Sequence, residues 1–290
     1  MNTIAITGAN GFIGRYFCTH FRNKGWKVLA LSRENPNIQG IDWLKYSLEE
    51  GISPKTVEGF ECIIHLAFQP LSKQNKNAYF TNIKGCEQLI ETSRKAGIKK
   101  IVYFSSTSAH SEAESQYGKH KQEAEKLFDG DDCLIIKPGL VLGEGGMIEK
   151  IGGLIKKLPA VPVVSGGEQL LQTLTIENLA YCTEQLIVQN KTGLWVVAEN
   201  KATSIIEFYK TVAECLGKDT RFISVPYLPV FYAAYLAESL GIELPLTVEN
   251  LKGLKKMRSF DTSSTEIALN YTFGDMKDNV STYKTFLQKL

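Results

Sequence analysis

Tyr117 and Lys121 stand four residues apart in Tyr117-Gly118-Lys119-His120-Lys121. On a helix that spacing puts both side chains on one face. A phenol with a pKa near 10 is a poor base at neutral pH. A neighbouring ammonium, together with the positive ring of an oxidised nicotinamide, favours the phenolate. Tyr117 can then exchange a proton with a substrate hydroxyl or carbonyl while a hydride moves to or from the nicotinamide. Such chemistry needs a dinucleotide site, and the N-terminus offers one. Thr7-Gly8-Ala9-Asn10-Gly11-Phe12-Ile13-Gly14 joins a β-branched run, Thr3–Thr7, to a helical pattern over Phe12–Lys24. Gly8 permits a tight turn, Gly11 lets the backbone approach a pyrophosphate, and Gly14 lets the helix pack on the sheet. The helix N-terminus then receives the phosphates on its free amides.

The glycines follow GxxGxxG spacing, and here the chain resembles the short-chain dehydrogenase/reductase superfamily, in its extended, sugar-nucleotide-modifying branch, the NAD-dependent epimerase/dehydratase family. His65-Leu66-Ala67 resembles the family's fourth-strand motif, Asn82-Ile83-Lys84-Gly85 its helix motif, and Ser105-Ser106-Thr107 the end of its fifth strand. Tyr117 and Lys121 match its YxxxK, and Ile135-Ile136-Lys137-Pro138-Gly139 resembles the strand before its substrate region. These motifs cover residues 1 to about 145 in order. The resemblance implies cofactor contacts from Gly8, Asn10, Gly11, Phe12, Ile13, Gly14, Ser32, Arg33, Leu66, Ala67, Phe68, Asn82, Tyr117, Lys121 and Pro138, with Lys121 on the nicotinamide ribose. Its third catalytic member is a hydroxyl at the end of the fifth strand. Thr107 matches that position best, with Ser106 and Ser108 as local alternatives.

NAD enzymes of this architecture place an acid at the end of the second strand, on the ribose 2′-hydroxyl. Here Ser32 and Arg33 stand there, and a guanidinium pairs with a phosphate where an Asp repels it. NADP is therefore the preferred cofactor, and nearby Glu34 keeps NAD open. The third-strand acid of the family is replaced by Tyr46-Ser47-Leu48. Relatives that dehydrate sugar nucleotides carry Asp-Glu after the catalytic Thr, whereas Thr107 is followed by Ser108-Ala109, which disfavours dehydration. A reductase acting on a ketone, with a nucleotide sugar as the implied substrate, is favoured. An NAD-retaining epimerase is one alternative, and a non-catalytic NADP-binding sensor or assembly subunit is another.

The elements that must hold these residues alternate. Strand-like runs at Thr3–Thr7, Lys27–Ser32, Cys62–Ala67, Ile101–Phe104 and Cys133–Ile136 are separated by helical patterns at Phe12–Lys24, Ala78–Ala96 and Tyr117–Phe128. That alternation predicts an α/β, Rossmann-type doubly wound parallel sheet. After Pro138, glycines at 143, 145, 146, 152, 153, 166 and 167 break the pattern, and a helix Ile176–Gln189 and strand Leu194–Ala198 return to the sheet. The Rossmann domain is thus expected over 1–140 and about 170–203, and a smaller, mostly helical substrate-binding region over about 141–169 and 204–290. The loop Gly143–Gly146 and the segment Val163–Gln169 are expected to border the substrate cleft.

Composition excludes other classes. In 290 residues, 33 Lys+Arg against 31 Asp+Glu leave +2, too weak a field to recruit nucleic acid or anionic lipid by charge. The 6 cysteines form no CxxC pair and no His stands at zinc-ligand spacing, so no metal and a reduced, cytoplasmic protein are expected. Met1–Thr7 enters a β-branched run at once, without a basic n-region and cleavage site, so no signal peptide is expected. The apolar stretch Tyr227–Leu240 is too short to cross a bilayer and reads as a helix packed on a core. His65 reads as a satisfied structural histidine, Lys119 and Lys126 as solvated, and Lys252–Arg258 as a helix surface. The family resemblance implies a homodimer through the helices at about 78–96 and 116–128.

Overall fold

Strand β1 (Thr3–Thr7) sends Ile4 and Ile6 to one face and Ala5 to the other, and all three are fully buried. A strand buried on both faces needs helices above and below it, the condition for a parallel sheet. The computed structural model, which describes residues 2–70, 77–242 and 246–290, shows that arrangement. After β1 come β2 (Lys27–Ser32), β3 (Asp42–Lys45), β4 (Cys62–His65), β5 (Lys100–Phe104) and β6 (Cys133–Pro138). Short strands β7 (Leu140–Leu142), β8 (Ala160–Val164), β9 (Leu170–Leu171) and β10 (Thr173–Thr175) precede β11 (Gly193–Val197). Seven of these pair in the order β11-β6-β5-β4-β1-β2-β3, every pair parallel. Chain order reverses between β1 and β4, and ligands of open α/β sheets gather at the C-terminal strand ends beside such a point.

The helices are α1 (Phe12–Asn23), α2 (Ala78–Lys95), α3 (Gln116–Glu125), α4 (Met147–Lys157), α5 (Ile176–Val188) and α6 (Ile205–Leu216) in the first three-quarters of the chain. Phe17 and Phe21 of α1 and Leu179 and Leu186 of α5 cover one face of the sheet. Cys86 and Leu89 of α2 and Ala124 of α3 cover the other. The continuous apolar runs made these elements readable. β3 was implied only through the family's third strand, because at the sheet edge none of its residues is buried and no period shows. β4 stops at His65, short of the expected Ala67, because the amides of Leu66 and Ala67 turn to donate to Thr7 Oγ1, both at 3.1 Å.

Beyond the sheet, β12 (Thr203–Ser204) pairs with β9, and β13 (Arg221–Val225) pairs with β8. The remaining helices are α7 (Tyr227–Ser239), α8 (Val248–Lys255), α9 (Ser263–Leu269), α10 (Met276–Ser281) and α11 (Lys284–Lys289). Ile151 and Ile155 of α4, Phe208 and Val212 of α6, Val280 and Leu287 form a separate core. Leu269 and Phe273, by contrast, join the sheet's own core, and Thr265 Oγ1 donates to Val196 O of β11 at 2.7 Å. Part of the chain's last third therefore packs on the Rossmann body.

One expectation needs correction. Tyr227–Leu240 is helical, but among the described residues only one side of α7 meets a core. Ala234 is buried, whereas Leu228, Tyr232, Tyr235, Leu236 and Leu240 are exposed. The outer faces of α2 and α3, where self-association is expected, carry Lys84, Glu87, Glu91, Arg94, Lys95, Lys119 and Lys126 among their exposed residues, with Phe80 as the large apolar one. All 6 cysteines are free and buried, as a reduced protein requires.

Candidate active site

The glycine loop is a cradle that a side chain would fill. Gly8 sits at φ 68°, and a Cβ there would lie 2.8 Å from Ala67 N. A Cβ on Gly14 would fall 2.2 Å from Gly8 O, so only glycine lets α1 approach the turn this closely. Gly11 N donates to Gly8 O at 2.9 Å and closes the turn. As N-cap of α1, Gly11 contributes no side-chain cap, and the first turn has no acid. The first-turn amides of Phe12, Ile13 and Gly14 therefore face outward with the positive end of the helix, and fit a pyrophosphate. Asn10 is held in the loop by Arg15, whose Nη1 donates to Asn10 Oδ1 at 2.7 Å. Gly14→Ala is expected to weaken NADH binding about tenfold, roughly 1.4 kcal/mol, because the clash is with backbone. Nicotinamide fluorescence titration checks this, and wild-type affinity would mean the turn yields freely.

The loop lies beside the end of β2, where Ala9 N donates to Leu31 O at 3.3 Å. Of the two residues expected to meet the adenosine ribose there, Arg33 is exposed and Ser32 is not free. Ser32 is buried, its hydroxyl donates to Glu34 O at 2.7 Å and it accepts from Trp43 Nε1 at 3.1 Å. Ser32 thus pins the strand end. Asn82 has a similar history: its amide donates to Gln69 O and its carbonyl accepts from Gln69 N, both at 2.8 Å. It shapes the Leu66–Phe68 loop with both ends of its carboxamide.

At the C-terminal ends of β1, β4, β5 and β6 lies a cavity of about 220 Å³ lined by Ile13, Leu66, Phe68, Phe104, Ser105, Ser106, Tyr117, Lys121, Pro138, Gly139 and Val141. The expected pair meets there. Ser115 caps α3 by accepting from Gly118 N at 3.2 Å, which starts the helix one residue before Tyr117. Gly118 is needed because a Cβ would lie 2.3 Å from Ser108 O. Tyr117 is 41% exposed and meets the edge of the Phe68 ring at 5.1 Å. Desolvation raises its phenol above the ordinary value, and hydrogen bonding from Ser106 partly offsets that. Lys121 is 4% exposed, donates to Phe104 O at 2.7 Å and sits 4.7 Å from the Phe68 ring centre and 4.9 Å from that of Tyr103. Burial lowers its ammonium to about 8, against the pull of Cys86 and Glu125.

Ser106 is the hydroxyl that reaches Tyr117 and lines the cavity. Thr107, which the resemblance put in that role, is partly buried and bonds through its backbone N–H to Pro138 O at 3.2 Å. Ser108 N donates to Ser106 Oγ at 3.1 Å and orients it. Beneath this loop is a network that the sequence reading missed. Ser105 Oγ donates to Glu125 Oε1, Lys137 Nζ lies 3.0 Å from the same carboxylate and donates to Ala109 O at 2.7 Å. Glu125 follows Lys121 by four residues, so Tyr117, Lys121 and Glu125 share one face of α3, and that spacing was the available signal.

Phe12 links the loop to the next region, since Cβ atoms on Gly143 and Gly146 would each lie 2.8 Å from its ring. The Gly143–Gly146 loop thus packs on the mouth of the cofactor cradle. Val163 and Val164 belong to β8, and Gly167 packs on Val163 and Ile206. His65 accepts from Thr7 Oγ1 at its Nδ1, 2.8 Å away, but its buried Nε2 has no partner among the described residues. The histidine is therefore satisfied at one nitrogen only. Burial and the Lys121 charge lower it to about 3, which keeps it neutral. Among the described residues no cluster of His, Cys, Asp or Glu could hold a metal.

Residues 4–131 match the model of the NAD dependent epimerase/dehydratase family. The chain is 23% identical to dTDP-4-dehydro-6-deoxy-D-allose reductase of Streptomyces bikiniensis, over 79% of this chain and 85% of the relative. It is 24% identical to ceramide reductase of Caulobacter vibrioides, over 81% and 77%. The solved structure of MoeE5 with UDP-glucuronic acid and NAD superposes with TM-score 0.75 at 18% identity, covering 99% of each chain. The last of these speaks for the fold, and the family match covers the glycine cradle and the Tyr117/Lys121 face together.

Proposed function

We propose that this protein is an NAD(P)-dependent reductase that converts a ketone, carried on a nucleotide sugar, into a secondary alcohol. The observation that carries the reading is the convergence of Tyr117, Lys121 and Ser106 on one cavity beside the glycine cradle. Bound NAD(P) supplies the hydride donor and acceptor. Tyr117 holds a proton on its raised phenol and delivers it to the carbonyl oxygen as that oxygen gains charge. Ser106 donates a hydrogen bond to the same oxygen. Lys121, fixed by Phe104 O, brings its ammonium into the same cavity as the phenol and would hold ribose hydroxyls of the cofactor. Ile13, Leu66 and Pro138 give the cavity an apolar wall against which the reacting carbon would lie. The nucleotide sugar is supported by the family match and by the substrates named for the allose reductase and MoeE5.

NADP is the preferred cofactor in this reading, because exposed Arg33 stands where an NAD enzyme places an acid. With Ser32 bonded to Glu34 O and Trp43, Arg33 is the residue left to meet a 2′-phosphate. Arg33→Ala is expected to weaken NADPH binding about tenfold, the loss of one charge-assisted hydrogen bond of roughly 1.5 kcal/mol, and to leave NADH binding unchanged. Parallel equilibrium titrations with the two cofactors check it. An unchanged NADPH/NADH ratio would remove Arg33 from the site. NAD retained through purification would instead favour the epimerase. Oxidation of NADPH by a panel of keto-sugar nucleotides tests the reaction itself, and inertness of the wild type toward the whole panel would remove the reductase.

A further inference from the structure

Helix α7 is apolar on all sides, with Glu238 the one charged residue among its 13. Glu238 is turned inward, its Oε1 accepting from Val248 N at 2.8 Å. A helix of this kind belongs in a core or in a membrane. Among the described residues only one side of α7 has a core, where Val230, Phe231 and Ala234 pack with Val164, Val248 and Leu251. On the other side Leu228, Tyr232, Tyr235 and Leu236 recur at i, i+4, i+7 and i+8, between 57% and 63% exposed. Leu240, 74% exposed, and Ile242, 54% exposed, extend the strip past the helix end. All six of these side chains are more than half exposed, and a cluster of exposed large apolar residues of this kind marks an interaction surface.

We propose that this face seats the protein on a lipid bilayer, with α7 lying in the plane of the interface. A protein partner on this face, a second copy included, needs about one hydrogen bond per 100–200 Å² and a polar rim. The strip offers two tyrosine hydroxyls, and the Ser239 hydroxyl beside them already donates to Tyr235 O at 2.8 Å. Hydrocarbon asks for no such partners. Exposed Tyr232 and Tyr235 present an apolar ring and a polar tip, the composition that settles at headgroup depth. At 13 residues α7 is far short of the roughly 20 that a span requires, and with one side held by the core only its outer side is free to enter the interface. The neighbouring cations on and after α8 are matched by carboxylates. Lys252 pairs with Glu249, Lys255 and Lys256 pair with Glu114, and Arg258 pairs with Glu112, at 3.1 to 3.6 Å. Seating is therefore driven by apolar insertion, which the net charge of the chain gives no hint of. Because α8 packs on α3, and Gln116 N donates to Glu249 Oε2 at 2.6 Å, the seated face lies one helix from Tyr117.

The test is flotation of the full chain with phosphatidylcholine vesicles, with and without phosphatidylglycerol, at low and high salt. The wild type is expected to float with both compositions and at both salts. The double variant Leu236→Glu, Leu240→Glu is expected to lower the bound fraction about tenfold or more, as charges placed in the interface should. Its melting temperature and NADPH affinity should match the wild type, because both side chains are exposed and outside the cleft. Failure of the wild type to float would overturn the proposal, as would flotation of the double variant at wild-type level. Flotation confined to phosphatidylglycerol at low salt would place the contact on the basic residues and overturn it. A wild-type dimer by light scattering that the double variant converts to monomer, with neither floating, would make the face a self-interface.

Discussion

Tyr117→Phe is expected to lower kcat/KM for ketone reduction by about 10²–10⁴, the range for removing a positioned general acid, while NADPH affinity changes less than twofold. The separation follows from the geometry. Phenylalanine keeps the ring that meets Phe68 at 5.1 Å and loses only the hydroxyl that Ser106 approaches. Reduction consumes a proton, so the phenol must be protonated in the reactive complex. Desolvation raises Tyr117 above the ordinary value near 10, and a reduced nicotinamide adds no positive charge to oppose it. Across pH 6 to 8 the wild-type phenol should therefore stay protonated, with no loss of rate from its ionisation. In the oxidative direction the phenolate is required, so that rate should climb with pH. Stopped-flow oxidation of NADPH by wild type and variant, with the pH profile in both directions, makes the comparison. A variant that keeps a tenth or more of the reductive rate would give the proton to another group.

The elements were legible where burial on both faces writes a continuous apolar run, as in Thr3–Thr7 and Cys133–Ile136, and where glycine spacing meets a strand-to-helix turn. Pair spacing was enough for Tyr117 and Lys121, because four residues on a helix fix a shared face. What escaped was decided by tertiary contact. Three hydroxyls in a row, Ser106, Thr107 and Ser108, are equivalent as sequence, and only the folded loop brings the Ser106 hydroxyl into the cavity with Tyr117. Ser32 and Asn82 stand at motif positions, yet Trp43 and Gln69 occupy their polar atoms from distant parts of the chain. For α7 the residues gave the helix, but apolarity on every side carries no mark of which side a neighbour covers.

Lys121→Met is expected to abolish turnover and at the same time to stabilise the cofactor-free protein at pH 7. On the proposed function the turnover loss, about 10² or more, follows from removing the cation that shares the cavity with the phenol and would donate to the ribose. The stability gain follows from burial. Desolvation holds the ammonium at about 8, below its ordinary value near 10.5. Between those values the unfolded chain binds a proton that the native chain does not, so wild-type stability rises with pH across that window. Below about 8 both states are protonated, and the native state carries the full cost of a buried charge. That cost is on the order of 3 kcal/mol, net of the bond to Phe104 O and the Phe68 and Tyr103 rings. Met fills the same channel without charge, so the variant should be about 1–3 kcal/mol more stable at pH 7, the gain shrinking toward pH 10.5. Calorimetric melting of both proteins without cofactor, at pH 7 and pH 10, measures it. A variant less stable than wild type at pH 7 would mean that the carbonyl and the two rings outweigh burial, and that Lys121 holds α3 to the sheet as well as serving Tyr117.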